Sequence, residues 1–289
     1  MSEKHKFYFK KYGGKTVTYL LLIFVAMLLA VPFAWTLFSS LKPQAENIST
    51  TFTLLPKGSI ADWDWHNYKV AVDQLNFFQG FKNTLTVAIP AVVFGVFSSA
   101  FVAYGFARFN FKYKQVIFLI LLASLMIPFE ITMIPMYVVY SKIGWINTYL
   151  PMIVPSMFGA SEYIFFLTMY FIAIPRELVS SARVDGFSDF EIWYKIFLPV
   201  SKPALIVVGI WSFQGTWNDL LGPLIWLTDS NKFTLQQSLA ALNSATMSPP
   251  IELGVKMAST ILITLPVLIV FLFTQKYILD TSKSEGIKG

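Results

Sequence analysis

The sequence contains no cysteine, which excludes structural disulfides and thiolate metal sites within its 289 residues. Histidine is nearly absent as well. His5 and His66 are the only two, and both lie outside the long apolar stretches, as solvated loop residues do. We therefore expect no metal site on this chain.

Charge is also scarce. Charged residues make up 13% of the chain, about half the quarter that is typical of soluble domains. Hydrophobic residues make up 55%, and the mean hydropathy is +0.60. This composition indicates a membrane protein rather than a soluble domain with a large core. The net charge of +6 calls for no nucleic-acid partner, because membrane orientation and anionic lipid account for it.

Sequence signatures of catalysis are missing too. A phosphate-binding loop reads G-x-x-x-x-G-K-[ST], and the nearest match is Gly14-Lys15-Thr16, where Phe9 occupies the position of the first glycine. No H-E-x-x-H, G-x-S-x-G or clustered carboxylate pair occurs, which argues against a membrane-embedded enzyme. We expect neither nucleotide chemistry nor any other catalysis on this chain.

What the sequence does contain is six long apolar blocks, at residues 17–39, 84–107, 116–140, 150–174, 203–227 and 257–279. About 20 helical residues cross the ~30 Å of hydrocarbon in a bilayer. Backbone N–H and C=O groups cannot stay unpaired in lipid, so blocks of this length should be helices. The blocks are too long and too uniformly apolar to be the strands of a transmembrane β-barrel. The sequence therefore predicts an all-α membrane protein with about six transmembrane helices. The first block exceeds a signal peptide's apolar core of about 7–15 residues and lacks a small-residue cleavage site, so we expect it to be retained.

Basic residues orient the predicted spans. The side that carries both termini and the connections 107–115 and 175–202 holds 15 of the 22 lysines and arginines, counting Lys276 with the C-terminal end. Basic residues are enriched in cytoplasmic loops, most reliably in short ones. Both termini are therefore expected in the cytoplasm. The longer connections 40–83 and 229–256 would face outward.

The cytoplasmic connection 175–202 keeps a helical pattern. We predict one helix over 176–184, a break at Gly186 and a second helix that runs to about Phe197 and ends at Leu198-Pro199. Ser188 and Glu191 have the spacing of a capping box at the start of that second helix. A run of small residues at 180–182 would let another surface approach closely. Asp185 opposes the dipole of the first helix, which hints at a partner. The alternative is an amphipathic connector on the membrane surface.

These residues carry a resemblance. The stretch P-R-E-L-V-S-S-A-R-V-D-G at 175–186, with I-F-L-P at 196–199, resembles the EAA loop of permease subunits in binding-protein-dependent ABC importers. The wider chain, over about 17–281, is similar to the MalG-like permeases of maltose-type importers. The motifs that carry this likeness are A-Y-G-F-A-R-F at 103–109, M-I-P at 126–128, I-P at 134–135, N-T-Y at 147–149, W-N-D at 217–219, P-L at 223–224 and T-L-P-V-L at 264–268. One departure is Ser180-Ser181-Ala182, where the motif usually reads Glu-Ala-Ala. A contact made by that glutamate cannot be assigned to Ser180.

The resemblance implies a type I importer permease fold and one half of the path for a carbohydrate, with an oligosaccharide as the expected class. It implies an inner-membrane location in bacteria, a second homologous permease, two ATPase subunits that bind ATP and Mg²⁺, and an external solute-binding protein. The domain division would be a cytoplasmic segment 1–16, a membrane domain 17–281 that includes a coupling segment 175–199, and a cytoplasmic tail 282–289. An outer loop at about 238–252, including Asn243-Ser244-Ala245-Thr246, would reach the binding protein. The residues expected to couple to the ATPase are Glu177, Ser180, Ser181, Ala182, Asp185, Gly186, Leu198 and Pro199.

Substrate contacts are less well marked in the sequence. Glu130, Glu162 and Asp219 lie in or beside apolar blocks, where acids usually face partners or water-filled cavities. Aromatic side chains can stack on sugar rings, yet most of them here would simply pack. The candidates for the substrate path are Glu130, Tyr137, Tyr163, Trp211, Asn218 and Asp219. A secondary transporter driven by an ion gradient is the alternative function, and dependence on a purified ATPase would distinguish the two.

Overall fold

The computed structural model describes residues 3–51, 53–244 and 250–285, and all the regular structure in these ranges is helical. The α-helices are α1 (Glu3–Ser39), α2 (Gln44–Asn47), α3 (His66–Gln74), α4 (Phe77–Arg108), α5 (Lys114–Ser124), α6 (Phe129–Lys142), α7 (Leu150–Ile153), α8 (Ser161–Ile172), α9 (Arg176–Val184), α10 (Asp189–Ile192), α11 (Leu198–Val200), α12 (Lys202–Asn218), α13 (Leu221–Trp226), α14 (Leu235–Leu242) and α15 (Leu253–Glu285). Short 3-10 turns occur at Ile60–Asp62, Val154–Phe158 and Ser230–Lys232, and a π-helical turn occurs at Trp193–Phe197.

By length and composition, four helical stretches in the described chain can cross a membrane: Lys15–Ser39, Phe77–Arg108, Leu150–Ile172 and Leu253–Tyr277. Two further pairs of helices are long and apolar enough to cross only when the two members of a pair are taken together, and each pair is sharply bent. They are Lys114–Ser124 with Phe129–Lys142, bent by 97°, and Asp189–Val200 with Lys202–Asn218, bent by 80°. Counting each bent pair as one span gives six, the number of apolar blocks, although the first helix of the second pair, Asp189–Val200, lies in the connection 175–202 that the sequence places outside the membrane.

The blocks are less regular than we expected. The block 116–140 is not one helix, because Pro128 has no N–H to donate and disfavours helical backbone in the residue before it. The block 150–174 is interrupted before Ser161, at Gly159, whose φ is +82°. The block 203–227 breaks after Asn218 and resumes at Leu221. All three interruptions lie within segments that are otherwise apolar enough to span.

The structure divides into two compact units. The first comprises residues 3–74 and 242–262 within the described ranges. In it, the buried Asn67 amide donates to the carbonyl oxygens of Ser40 and Lys42, both at 3.0 Å. Helix α1 starts at Glu3, so the predicted segment 1–16 is helical from there and continuous with the first span. Of the predicted tail 282–289, residues up to 285 belong to α15 and residues 286–289 lie outside the described ranges.

The second unit comprises residues 75–241 and 263–285 and is built around α4, which packs against α8 and α12. Small residues permit this close approach: Ala88, Ala100 and Ala103 on α4 and Ala204 on α12 are completely buried. Large apolar side chains on the outward faces of the same helices remain exposed, as residues that face lipid do. All the candidate site residues lie in this unit.

Candidate functional site

Segment 175–199 is a helix-turn-helix, as predicted. Its first helix, α9, ends at a glycine: Gly186 has a φ of +84°, and its N–H donates to the Arg183 carbonyl at 3.1 Å. The Phe187 N–H donates to the Ala182 carbonyl at 3.0 Å. These two hydrogen bonds form a Schellman motif, which requires the left-handed backbone that glycine adopts without strain. The predicted break at Gly186 is confirmed.

The second helix begins with the predicted capping box. The Ser188 hydroxyl accepts a hydrogen bond from the Glu191 N–H at 3.3 Å, and the Glu191 carboxylate accepts one from the Ser188 N–H at 3.0 Å. Lys195 pairs with the same carboxylate at 2.9 Å. The hydrogen bonds from Lys195 and from Ser188 lower the pKa of Glu191 to about 2. The cap is therefore ionised at any physiological pH.

The end of the second helix differs from the prediction. It continues past Phe197 to Val200 through a π-helical turn at Trp193–Phe197. Pro199 cannot donate a hydrogen bond and its ring would collide with the carbonyl four residues earlier in a regular α-helix. The wider π turn gives this proline room, so the helix does not stop at Leu198-Pro199.

Aromatic side chains anchor the second helix to the membrane-spanning core. Phe197 is completely buried, with its ring centroid 4.8 Å from Tyr104 of α4 and 5.3 Å from Phe171 of α8. Trp193 lies edge-on to Phe101 at 5.3 Å. These ring contacts join segment 175–199 directly to α4 and α8.

Arg108 ties the same region together from the end of α4. Its guanidinium donates to the carbonyl oxygens of Phe171 and Ile174, at 2.8 and 2.6 Å, and lies 4.8 Å from the centroid of the Phe197 ring. The carbonyl groups at a helix C-terminus lack partners within the helix, and a cation there is favourable. Arg108 thus caps α8 just before α9 begins. In the sequence, Arg108 is marked only as part of the motif at 103–109, and its capping role depends on contacts more than 60 residues away.

The predicted coupling residues divide into two groups. Those exposed in this chain are Glu177, Ser180, Ser181, Asp185, Gly186 and Pro199. Ala182 and Leu198 are buried, at 4% and 8% exposure, in the cluster that contains Phe197. The interpretation of Ala182 as part of a docking face is therefore wrong, because α9 turns this residue inward. The two serine hydroxyls donate back to their own helix, Ser180 to Arg176 and Ser181 to Glu177.

This segment also carries an apolar surface that the sequence pattern does not reveal. Val184 is 87% exposed, Phe190 61% and Tyr194 60%. These three residues, which we call the apolar tip, lie at the end of α9 and along the second helix. Only the turn geometry shows that they point outward.

A cavity of about 380 Å³ opens among α4, α6, α8, α12 and α13. Two of the six path candidates line it, Tyr163 and Asp219. Asp219 follows α12 and accepts a hydrogen bond from the Gly222 N–H at 3.1 Å, so it also orders the break between α12 and α13. Other lining residues, which the sequence did not single out, are Thr84, Phe129, Met136, Ser212, Thr216 and Trp226.

The other four path candidates lie outside this lining. Glu130 is exposed in the first turn of α6, and Asn218 is exposed at the end of α12. Tyr137 stacks on Trp226, with a centroid distance of 6.3 Å, so it adjoins the cavity wall. Trp211 packs edge-on against Phe166 at 5.0 Å, the packing alternative that the sequence left open.

A third arrangement, the Asn147 cluster, joins two connections that are distant in sequence. Asn147 has a φ of +59°, and its side-chain oxygen accepts the N–H groups of Thr228 and Asp229 at 3.2 and 3.1 Å. The Lys232 ammonium donates to the Asn147 carbonyl at 2.7 Å. The Asn83 amide donates to the carbonyls of residues 231 and 233 at 2.8 and 2.9 Å. Residues 245–249 of the predicted outer loop, including Ala245 and Thr246, lie outside the described residues.

Comparison with known proteins identifies the family. A family model described as "Binding-protein-dependent transport system inner membrane component" matches residues 91–281, more than half of the chain. The chain belongs to this family. The permease is 30% identical over 266 residues to the arabinooligosaccharides transport system permease protein AraQ of Halalkalibacterium halodurans, covering 92% of this chain and 94% of that protein. It is 30% identical over 271 residues to the diacetylchitobiose uptake system permease protein NgcG of Streptomyces coelicolor, covering 93% and 87%.

The fold of the permease has a solved counterpart. With a TM-score of 0.79 and 21% identity, it matches a chain in the crystal structure of a bacterial ABC transporter involved in the import of the acidic polysaccharide alginate, covering 93% of this chain and 97% of that one. The predicted importer permease fold is confirmed. The chain is a transport subunit of an ABC importer rather than an enzyme, and its family resides in the inner membrane and works with ATPase and solute-binding partners. The alternative of a carrier driven by an ion gradient finds no support.

Proposed function

We propose that this permease forms half of the translocation path for an oligosaccharide and is driven through segment 175–199 by a separate ATPase subunit that binds ATP and Mg²⁺. The observation that carries the proposal is the apolar tip. Val184, Phe190 and Tyr194 are exposed on a segment whose opposite side is anchored in the core. Exposed apolar groups on a connection outside the membrane favour a protein contact.

The proposed cargo rests on the cavity and on the relatives. Tyr163, Trp226 and Asp219 place two aromatic rings and a carboxylate around one space of about 380 Å³. Aromatic faces and hydrogen-bonding groups together suit a sugar ring, which is apolar on its faces and polar at its edges. The relatives named for arabinooligosaccharide and diacetylchitobiose transport support the same class.

The proposed assembly contains a second, homologous permease, two ATPase subunits and an external solute-binding protein. The resemblance to MalG-like permeases supports the second permease. The exposed apolar side chains of α6 suit a partner helix as well as lipid: Ile131 and Ile134 are each 67% exposed and Val138 is 48% exposed. The test is a transporter reconstituted from this chain and the ATPase alone. Import of sugar by that transporter would contradict the requirement for a second permease.

The proposed orientation places both termini in the cytoplasm, and the absence of cysteine makes a clean test possible. Lys57 and Asp185 are both exposed, and the sequence predicts them on opposite sides. In intact cells an impermeant thiol reagent should label Lys57→Cys and leave Asp185→Cys unlabelled. The opposite labelling pattern would invert the topology.

The coupling proposal is tested by charging the apolar tip. Val184→Glu combined with Phe190→Glu should abolish copurification of the ATPase and lower ATP-driven uptake in proteoliposomes by more than about tenfold, because buried charges without partners are costly at an interface. Ile48→Glu is the matched control, since Ile48 is 67% exposed and lies outside the segment. Wild-type uptake by the double variant would show that segment 175–199 is only a surface connector.

A further inference from the structure

A polar cavity of about 210 Å³ lies where the end of α4, the start of α5 and helix α9 meet. Four cationic side chains line it, together with Asn110 and Ser180 and without any carboxylate: Arg108, Lys114, Arg176 and Arg183. We call this the basic cavity. Four like charges around one small space repel one another unless an anion joins them.

Of these four cations, only Arg183 pairs with a carboxylate in the described part of the chain. Among the described residues, the ion pairs are Arg183 with Asp189 and Lys195 with Glu191, both at 2.9 Å. Arg108 and Lys114 donate only to backbone carbonyls, the latter to Phe109 at 2.9 Å, and the buried Nε of Arg108 has no acceptor in the described chain. Arg176 donates to no described residue and is close enough to Arg108 for the two charges to repel.

An apolar slot of about 120 Å³ adjoins the basic cavity, and Lys114 lines both. Phe106, Phe118, Met169 and Ile172 supply its walls. Met169 is 43% exposed and Ile172 55%, so the slot opens on the outer surface of the helices, where lipid lies. A cavity for an anion beside a slot for hydrocarbon has the amphipathic character of a lipid.

We propose that the permease binds one anionic phospholipid at this place, with the phosphate in the basic cavity and part of an acyl chain in the apolar slot. The site lies at the cytoplasmic end of α4 and α8 in the proposed orientation, the leaflet surface whose anionic lipids attract basic segments. The aliphatic stem of Lys114 bridges the two parts while its ammonium reaches the headgroup. An acidic side chain of the ATPase could enter the basic cavity but would leave the slot without an occupant.

The test measures retention of lipid by the purified full-length chain. The chain is exchanged into phosphatidylglycerol or phosphatidylcholine with identical acyl chains, and native mass spectrometry reports the fraction that keeps a lipid. Phosphatidylglycerol should be retained and phosphatidylcholine lost. Lys114→Gln with Arg176→Gln should weaken retention by about 25-fold, about fivefold for each charge removed. Lys114→Arg with Arg176→Lys keeps both charges and should stay within about twofold of wild type.

Lys202→Gln removes an exposed cation outside the cavity lining and should leave retention unchanged. Equal retention by the Gln double variant and wild type would overturn the proposal. Glycerol phosphate, which carries the headgroup charge without acyl chains, should bind at least tenfold more weakly than phosphatidylglycerol. Equal binding would reduce the site to one for a free anion and overturn its assignment to lipid. Displacement of the bound lipid by added ATPase subunit would assign the cavity to the partner's side chains and overturn it too.

Discussion

The two irregular regions of the second unit are held by different forces. Segment 175–199 is built from local caps and then fixed by burial of Phe197, Trp193 and Ile192 against α4 and α8. The Asn147 cluster is built from hydrogen bonds between side chains and backbone groups about 80 residues away, such as Thr228. Apolar packing tolerates small shifts because it is non-directional, whereas hydrogen bonds weaken steeply when distances and angles change. Segment 175–199 is therefore suited to shifting against the core, and the Asn147 cluster is suited to holding two connections in a fixed position relative to each other.

The most severe change should be Ala182→Trp, which tests whether apolar packing holds segment 175–199. Ala182 is 4% exposed and belongs to the same cluster as Phe197. An indole cannot fit there without moving α9 away from α4, at a cost of about 3 kcal/mol or more. The amount of folded permease in the membrane should fall, which fluorescence-detected size-exclusion chromatography measures.

Ser181→Trp is the matched control, because Ser181 is the exposed neighbour on the same helix. This variant should fold in normal amounts and lose ATPase binding instead. If both tryptophan variants accumulated equally well, α9 would not be anchored through Ala182.

The Asn147 cluster should respond to Asn147→Ala with a loss of about 2–3 kcal/mol. Two backbone N–H groups lose their acceptor, at about 1 kcal/mol each, and alanine pays about 1 kcal/mol more than asparagine in the left-handed region. Thermal unfolding in detergent measures the effect. Asn147→Gly relieves the backbone strain, so its loss of unfolding free energy should be about 1 kcal/mol smaller than that of Asn147→Ala. Asn147→Asp keeps the acceptor and should therefore be destabilised less than Asn147→Ala. Equal destabilisation by Gly and Ala would show that the positive φ contributes nothing.

These two regions also separate what sequence can and cannot predict. Gly186, Ser188 and Glu191 define the turn and the cap within six consecutive residues, so the local sequence predicts both. The partner of Asn147 is a backbone stretch near 228, and no local pattern reports such a pairing. The burial of Ala182 and the exposure of Phe190 depend on how their helices pack against α4 and α8, which is a tertiary contact that no local pattern reports. Asp219 stands out in the sequence because acids are rare in apolar blocks, whereas Tyr163 is one of three aromatic candidates that the sequence does not distinguish, and Thr84 and Ser212 carry no signal at all.

The turn itself should be sensitive to Gly186→Val. No atom lies within 4 Å of a Cβ added at this position, so bulk is not the reason. The cost is the φ of +84°, about 1–2 kcal/mol for a β-branched residue. We expect normal amounts of permease but reduced uptake and reduced ATP hydrolysis stimulated by the binding protein. Gly186→Asn should keep most of both activities, because asparagine tolerates this backbone. Equal loss in the two variants would point to contact with the partner rather than to backbone strain.

The smallest effect should come from Ser188→Ala, which removes one cap and leaves the aromatic anchors in place. The Glu191 N–H loses the acceptor that it has at 3.3 Å, and caps of this kind are worth about 1 kcal/mol. Since Phe197 and Trp193 still hold the second helix, we expect its first turn to fray while uptake stays near wild type. Hydrogen exchange followed by mass spectrometry should show the peptide around Glu191 exchanging about fivefold faster, with the peptide around Phe197 unchanged. Ser188→Asp restores an acceptor and should return the slow rate. Faster exchange across both peptides would mean that the cap, and not apolar burial, holds the segment on the core.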